Sequence, residues 1–132
     1  MTISTKLHPE LRLDLTPPVA TITITAPDNE NRLNPDSLRN LGSVIDELRT
    51  STDIQVVIFT GAGDEWFSAG LMNPAIRAAM TKDEVIAYVV EGNRIFDDLE
   101  ALPQITIAAI NGKIVAGASE LALACDIRVA GE

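Results

Sequence analysis

The stretch Ile105–Gly131, ITIAAINGKIVAGASELALACDIRVAG, decides the fold. It opens with an apolar β-type run at Ile105–Ile110, and Asn111-Gly112 supplies a turn signal. Val115-Ala116-Gly117-Ala118-Ser119 follows with almost no side-chain bulk and feeds an Ala/Leu helix carrying one carboxylate, Glu120. A second β-type run, Asp126–Ala130, closes the unit. A strand that ends in a small-residue loop and enters a helix gathers backbone N–H groups at the helix N-terminus. Such a spot stabilises a phosphate, a carboxylate or a developing oxyanion. A carboxylate one turn into the helix would repel a resident anion. It makes sense where an acid or base must stand beside a carbonyl being polarised.

Upstream, Ile54–Thr60 (IQVVIFT) is a continuous β-branched run, expected to be a strand buried on both faces. Gly61-Ala62-Gly63-Asp64-Glu65 is the loop at its C-terminal end, where open α/β sheets place ligands. Asn34-Pro35-Asp36 reads as a capped helix start, and Leu38, Leu41, Val44, Ile45 and Leu48 keep helical spacing to about Arg49. That helix between two strands is a crossover and favours parallel pairing. Leu11–Leu15 and Val19–Thr25 alternate apolar and polar around Pro17-Pro18, as a hairpin or meander does. A further helix is expected from Lys82 to about Leu102, with an apolar stripe at Val85, Val89, Ile95, Phe96 and Leu99 and a stop at Pro103.

With 132 residues the chain is one domain at most, 1–132, and it stops just after a buried-looking strand, so the fold is expected to continue beyond residue 132. The net charge is −9 and the ten basic residues are scattered, which argues against a nucleic-acid partner. No apolar run is long enough to span a bilayer, and Met1–Lys6 lacks the apolar core of a secretory leader. A single cysteine, Cys125, excludes an internal disulfide and fits a reducing compartment, hence a cytoplasmic location. Cys125 reads as a small buried hydrophobe. His8, the only histidine, falls in a polar leader and is expected to be exposed, leaving no histidine triad and no metal site. Gly61-Ala62-Gly63 lacks the Gly-Lys-Ser/Thr of a phosphate loop. Trp66 is expected to anchor its loop on the core, and Asp126 to be structural.

Two separated stretches, Ile54–Gly63 with Phe67-Ser68-Ala69-Gly70, and Ile107–Gly112 through Glu120–Ala130, resemble the crotonase (enoyl-CoA hydratase/isomerase) family. The likeness extends back to Asn31-Arg32-Leu33-Asn34. It implies an α/β fold of the crotonase type, a repeated ββα spiral, present here as the N-terminal part of an incomplete spiral core. A typical member is about twice this long. The resemblance further implies an acyl-CoA thioester as substrate and a homo-oligomer, a trimer or hexamer. No metal or other cofactor is implied, coenzyme A being part of the substrate.

In the family two backbone N–H groups hold the thioester oxygen, and these carry over to Leu71 and Gly117. Losing one such donor typically costs roughly 2.7–4 kcal/mol of transition-state stabilisation. Glu120 aligns with the family's acid/base glutamate. Hydratases pair it with a second glutamate about twenty residues further on, past the end of this chain. Substrate contacts are implied for Leu33, Ala69, Gly70 and Met72. Two positions depart from the family pattern. Leu71-Met72-Asn73 stands where the family has a small or apolar residue followed by Asp-Leu, removing a loop-stabilising, ligand-proximal aspartate. Ala116-Gly117-Ala118-Ser119 replaces three glycines and a cysteine, where the extra methyls are expected to crowd the backbone. Relatives with altered loops cleave carbon–carbon bonds in diketones without CoA. That chemistry is the alternative to hydratase or isomerase activity, and a non-catalytic truncated fragment is another.

Overall fold

The computed structural model describes residues 4–132 and builds them around a six-stranded sheet of order β1-β2-β3-β4-β6-β8. Met1, Thr2 and Ile3 of the leader lie outside the described residues. Strands β1 (Ser4–His8), β2 (Leu11–Thr16) and β3 (Val19–Ile24) form an antiparallel meander. The expected β2–β3 hairpin is present, turning at Pro17-Pro18. Helix α1 (Pro35–Arg49) then crosses to β4 (Val56–Gly61), which lies parallel to β3. The start of α1 is the one its residues spell out: the Asn34 side chain accepts from Ser37 N, and Pro35 needs no acceptor.

After β4 come a short β5 (Trp66–Ser68), helix α2 (Pro74–Ala78) and the long helix α3 (Lys82–Glu100), started by a Thr81/Glu84 capping box. Strand β6 (Ile105–Ile110) returns parallel to β4, and a two-residue β7 (Lys113–Ile114) pairs with β5 in a separate small sheet. Helix α4 (Gly117–Ala124) leads to β8 (Ile127–Ala130), parallel to β6 at the sheet's far edge. Among the described residues no helix is long and apolar enough to cross a membrane.

The core is one cluster: Leu38, Leu41, Ile45 and Leu48 of α1 and Ile95, Phe96 and Leu99 of α3 meet Val57 and Phe59 of β4 and Ala108 of β6. Burying a Leu, Ile or Phe side chain contributes about 1.5–3 kcal/mol, so this apolar layer drives the helices onto the sheet. Three expectations need correction. Strand β4 is not buried on both faces: Val57, Phe59 and Gly61 are buried, while Val56, Ile58 and Thr60 are only half-covered, because α1 and α3 join the cluster on one face. In α3 the buried line is Tyr88, Gly92, Ile95, Phe96 and Leu99, whereas Val89 is 39% exposed. Ile95, Phe96 and Leu99 of the expected stripe are buried and Val85 is half-buried, so only Val89 falls off it, its place taken by Tyr88 and Gly92. The supposed leader is strand β1, held by polar cross-links such as Thr5 Oγ1 to Asp14 and the Lys6–Glu47 ion pair rather than by apolar alternation. His8 at its end is half-buried, and its Nε2 is covered without a partner among the described residues.

Candidate active site

Strand β5 ends at Ser68 and β7 at Ile114, and these two residues are paired in the small parallel sheet. Each strand runs directly into one of the loops singled out above, so the pairing sets 69–72 against 115–117. Val115 N–H reaches Ser68 O at 3.4 Å across the seam. This sheet left no periodic signal, being three residues against two, yet it is what brings Leu71 and Gly117 together.

The approach is close enough to require glycine. A β-carbon on Gly70, whose φ is +91°, would stand 2.8 Å from Gly117 N and 3.2 Å from Ala118 N. A β-carbon on Gly117 would meet Leu71 Cγ at 3.1 Å and Leu71 N at 3.5 Å. Around this contact the backbone is almost fully bonded. Ala69 N–H donates to Glu30 O at 2.9 Å, and Gly70 N–H to Ser68 Oγ at 3.0 Å. Gly70 O accepts from Leu33 N–H at 2.9 Å, and Leu71 O from the Tyr88 hydroxyl at 2.9 Å. Arg32 Nη1 donates to Ala69 O and Met72 O, each at 3.1 Å. From Ala69 to Leu71 one backbone group is left over: among the described residues Leu71 N–H has no acceptor. Gly117 N–H, at the first position of α4, has none either. Two free donors on facing loops can hold a carbonyl oxygen.

Glu120 lies in the first turn of α4 with an exposed side chain, at the edge of a hollow of about 320 Å³ that Asn93, Phe96, Asp97 and Leu123 also line. A larger hollow of about 780 Å³ between α1, α2 and α3 includes neither Glu120 nor the two donor residues. The remaining sequence-derived site residues divide by exposure. Met72 is half-buried against the core, and Ala69 and Leu33 are 1% and 2% exposed, with both backbone groups of Leu33 engaged inside the protein.

The departures from the family pattern resolve locally. The side chain of Asn73, next to Met72, accepts from Ile76 N at 2.8 Å and caps α2, so loop anchoring is supplied from there. Ala118 fits in the core at 3% exposure, and the penalty falls instead on Ala116, which takes φ +53° and ψ −131°. Trp66 is half-buried with Lys113 Nζ 5.3 Å from its ring centre, and its carbonyl accepts from Asn31. Asp126 is structural: its carboxylate accepts from Thr106 N–H at 2.9 Å, while Asp126 N–H donates to Thr106 Oγ1. Cys125 is buried, and burial pushes its thiol up to about 11, the range of an inert thiol. Sequence reading missed Tyr88 and Arg32, whose partners are backbone carbonyls and leave no motif.

Residues 15–132 match the family model described as enoyl-CoA hydratase/isomerase. The chain is 42% identical over 114 residues to YngF of Bacillus subtilis, covering 86% of this chain and 44% of that protein. It is 38% identical over 112 residues to the short-chain-enoyl-CoA hydratase of Clostridium acetobutylicum, covering 85% and 42%. Among solved structures, the enoyl-CoA hydratase of Bacillus anthracis superposes with a TM-score of 0.84 at 34% identity, covering 98% of this chain and 47% of that one. The chain thus spans a little under half the length of these relatives.

Proposed function

The chain belongs to the enoyl-CoA hydratase/isomerase family, the crotonases, and from that membership we propose that it carries the oxyanion-binding part of an acyl-CoA-processing site of hydratase or isomerase type. The observation that supports this reading is the pair of free N–H groups, Leu71 and Gly117, on loops that touch. In the proposed reaction both donate to the thioester oxygen and stabilise the charge that develops there as the α-carbon takes on enolate character. The positive end of α4 adds to the Gly117 donor. Glu120, beside the same loop, orients water toward the β-carbon or moves the proton that completes the addition. Gly70 supplies the close approach, and Ala69, Leu33 and Met72 shape the loop around the acyl group. Coenzyme A is the handle of the substrate, and no metal or separate cofactor takes part. A homo-oligomer and a cytoplasmic location remain part of this proposal.

The test is hydration of crotonyl-CoA by this chain and by Glu120→Gln. We expect the variant to keep the fold, because Glu120 is exposed, and to lose roughly 10²–10⁴-fold in kcat with KM little changed. Full activity in the variant would remove Glu120 from the mechanism.

A further inference from the structure

We propose that Tyr88 is a positioning residue that aims the Leu71 N–H donor; the inference rests on the reading of that group as a thioester-oxygen donor. In a trans peptide the C=O and N–H point in opposite directions. The direction of Leu71 N–H is therefore set by whatever holds Gly70 O, and that is Leu33 N–H at 2.9 Å. The Tyr88 hydroxyl faces two carbonyls at once, Leu33 O and Leu71 O, the latter at 2.9 Å. One phenol from α3 thus clasps the Leu33 segment ahead of α1 to the loop on the far side of the peptide that carries the donor. Arg32, with a side chain 13% exposed and an ion pair to Glu30, holds the carbonyls on either side, Ala69 O and Met72 O.

The chemistry of the clasp suits a fixed element. Tyr88 is 5% exposed, and burial holds its hydroxyl well above the ordinary tyrosine range, so it keeps its proton and remains a donor. It reaches the loop from a helix with a capping box at its start, rather than from another loop. Next to it on the same helix face, Gly92 leaves room for the Leu71 side chain: a β-carbon there would stand 3.1 Å from Leu71 Cδ1. Helix α3 therefore contacts Leu71 twice, once through its carbonyl and once through its side chain.

The test uses Tyr88→Phe in the whole chain and two readouts. The first needs no ligand: hydrogen exchange of the Leu33 amide, which bonds Gly70 O. We expect its protection to fall roughly tenfold or more in the variant while core amides of β4 keep theirs. Unchanged protection overturns the clasp whatever the protein's function. The second is the isotope-edited carbonyl stretch of bound crotonyl-CoA. We expect the shift produced by wild type to fall by at least about half in Tyr88→Phe, with affinity held within about threefold. Equal shifts in both proteins overturn the positioning role. No shift even in wild type overturns the oxyanion reading itself, and the inference with it. If Tyr88→Phe does not fold, fluorotyrosine can replace Tyr88 alone, since it is the only tyrosine. A ring-fluorinated phenol is a stronger donor, so Leu33 protection should rise; no rise overturns the clasp.

Discussion

Ala116 is the residue where sequence and backbone disagree most. Its φ of +53° with ψ of −131° suits glycine, and a side chain held in such a conformation costs of order 1–3 kcal/mol. The strain sits one residue before the Gly117 donor, in the peptide that carries it. Ala116→Gly should therefore raise stability by about 1 kcal/mol after allowing for the extra freedom of glycine in the unfolded chain, read as a higher denaturant midpoint. An unchanged or lower midpoint would mean the strain is not there. Tyr88 makes a second prediction. Burial raises its pKa above the ordinary 10.0. The contribution of the neutral phenol is complete below pH 10 and is lost as pH rises toward the folded pKa. The phenolate absorbance of this sole tyrosine should thus appear only together with alkaline unfolding. A phenolate signal near pH 10 in folded protein would contradict the burial. At this scale the place of Gly117 and Glu120 in the first turn of α4 was legible, because a small-residue loop entering a helix has a local signature. Tyr88 was not, because its partners are backbone atoms of distant segments.

At the scale of elements, the long pieces were readable and the short ones were not. Helix α1 could be placed from its cap, its proline and its apolar spacing, and β6 and β8 from their β-rich composition. Strands β1, β5 and β7 have no apolar period. They form because pairing and polar cross-links satisfy their backbone, which no window of sequence displays. Asn31 is the cross-link that matters most around the site. It is fully buried, its Oδ1 accepts from Ala26 N, and its Nδ2 donates to Ala62 O and Trp66 O. It thus joins the segment after β3 to the β4–β5 loop and β5. Asn31→Ala should cost about 2–3 kcal/mol by leaving those groups unpaired, measured by chemical denaturation. A loss below the error of the measurement would show that these loops do not depend on it. Cys125, packed with Leu121 under α4, should resist a thiol reagent in native protein and react at once in denaturant. Rapid native labelling would mean that α4 opens readily.

For the whole molecule, the sheet edge at β8 has all four residues exposed. Leu123 is 69% exposed and Val129 58%, with Ile105 and Ile127 about half exposed nearby in the chain's last elements. An unpaired strand edge with apolar neighbours promotes association. The isolated chain should show concentration-dependent sedimentation, and a monodisperse monomer at high concentration would contradict that. The overall α/β class and parallel crossovers followed from the sequence, whereas the one-sided burial of β4 did not, because covering a face depends on what packs there. In the proposed site the Leu71 and Gly117 N–H groups share one acceptor, the thioester oxygen. A proton–nitrogen correlation titration of the labelled chain with butyryl-CoA, a saturated thioester, reads that shared acceptor at both amides. We expect the Leu71 and Gly117 amide protons to move downfield together and further than any others. Binding that leaves both unmoved, or that shifts residues of the α1–α2–α3 hollow instead, would contradict it.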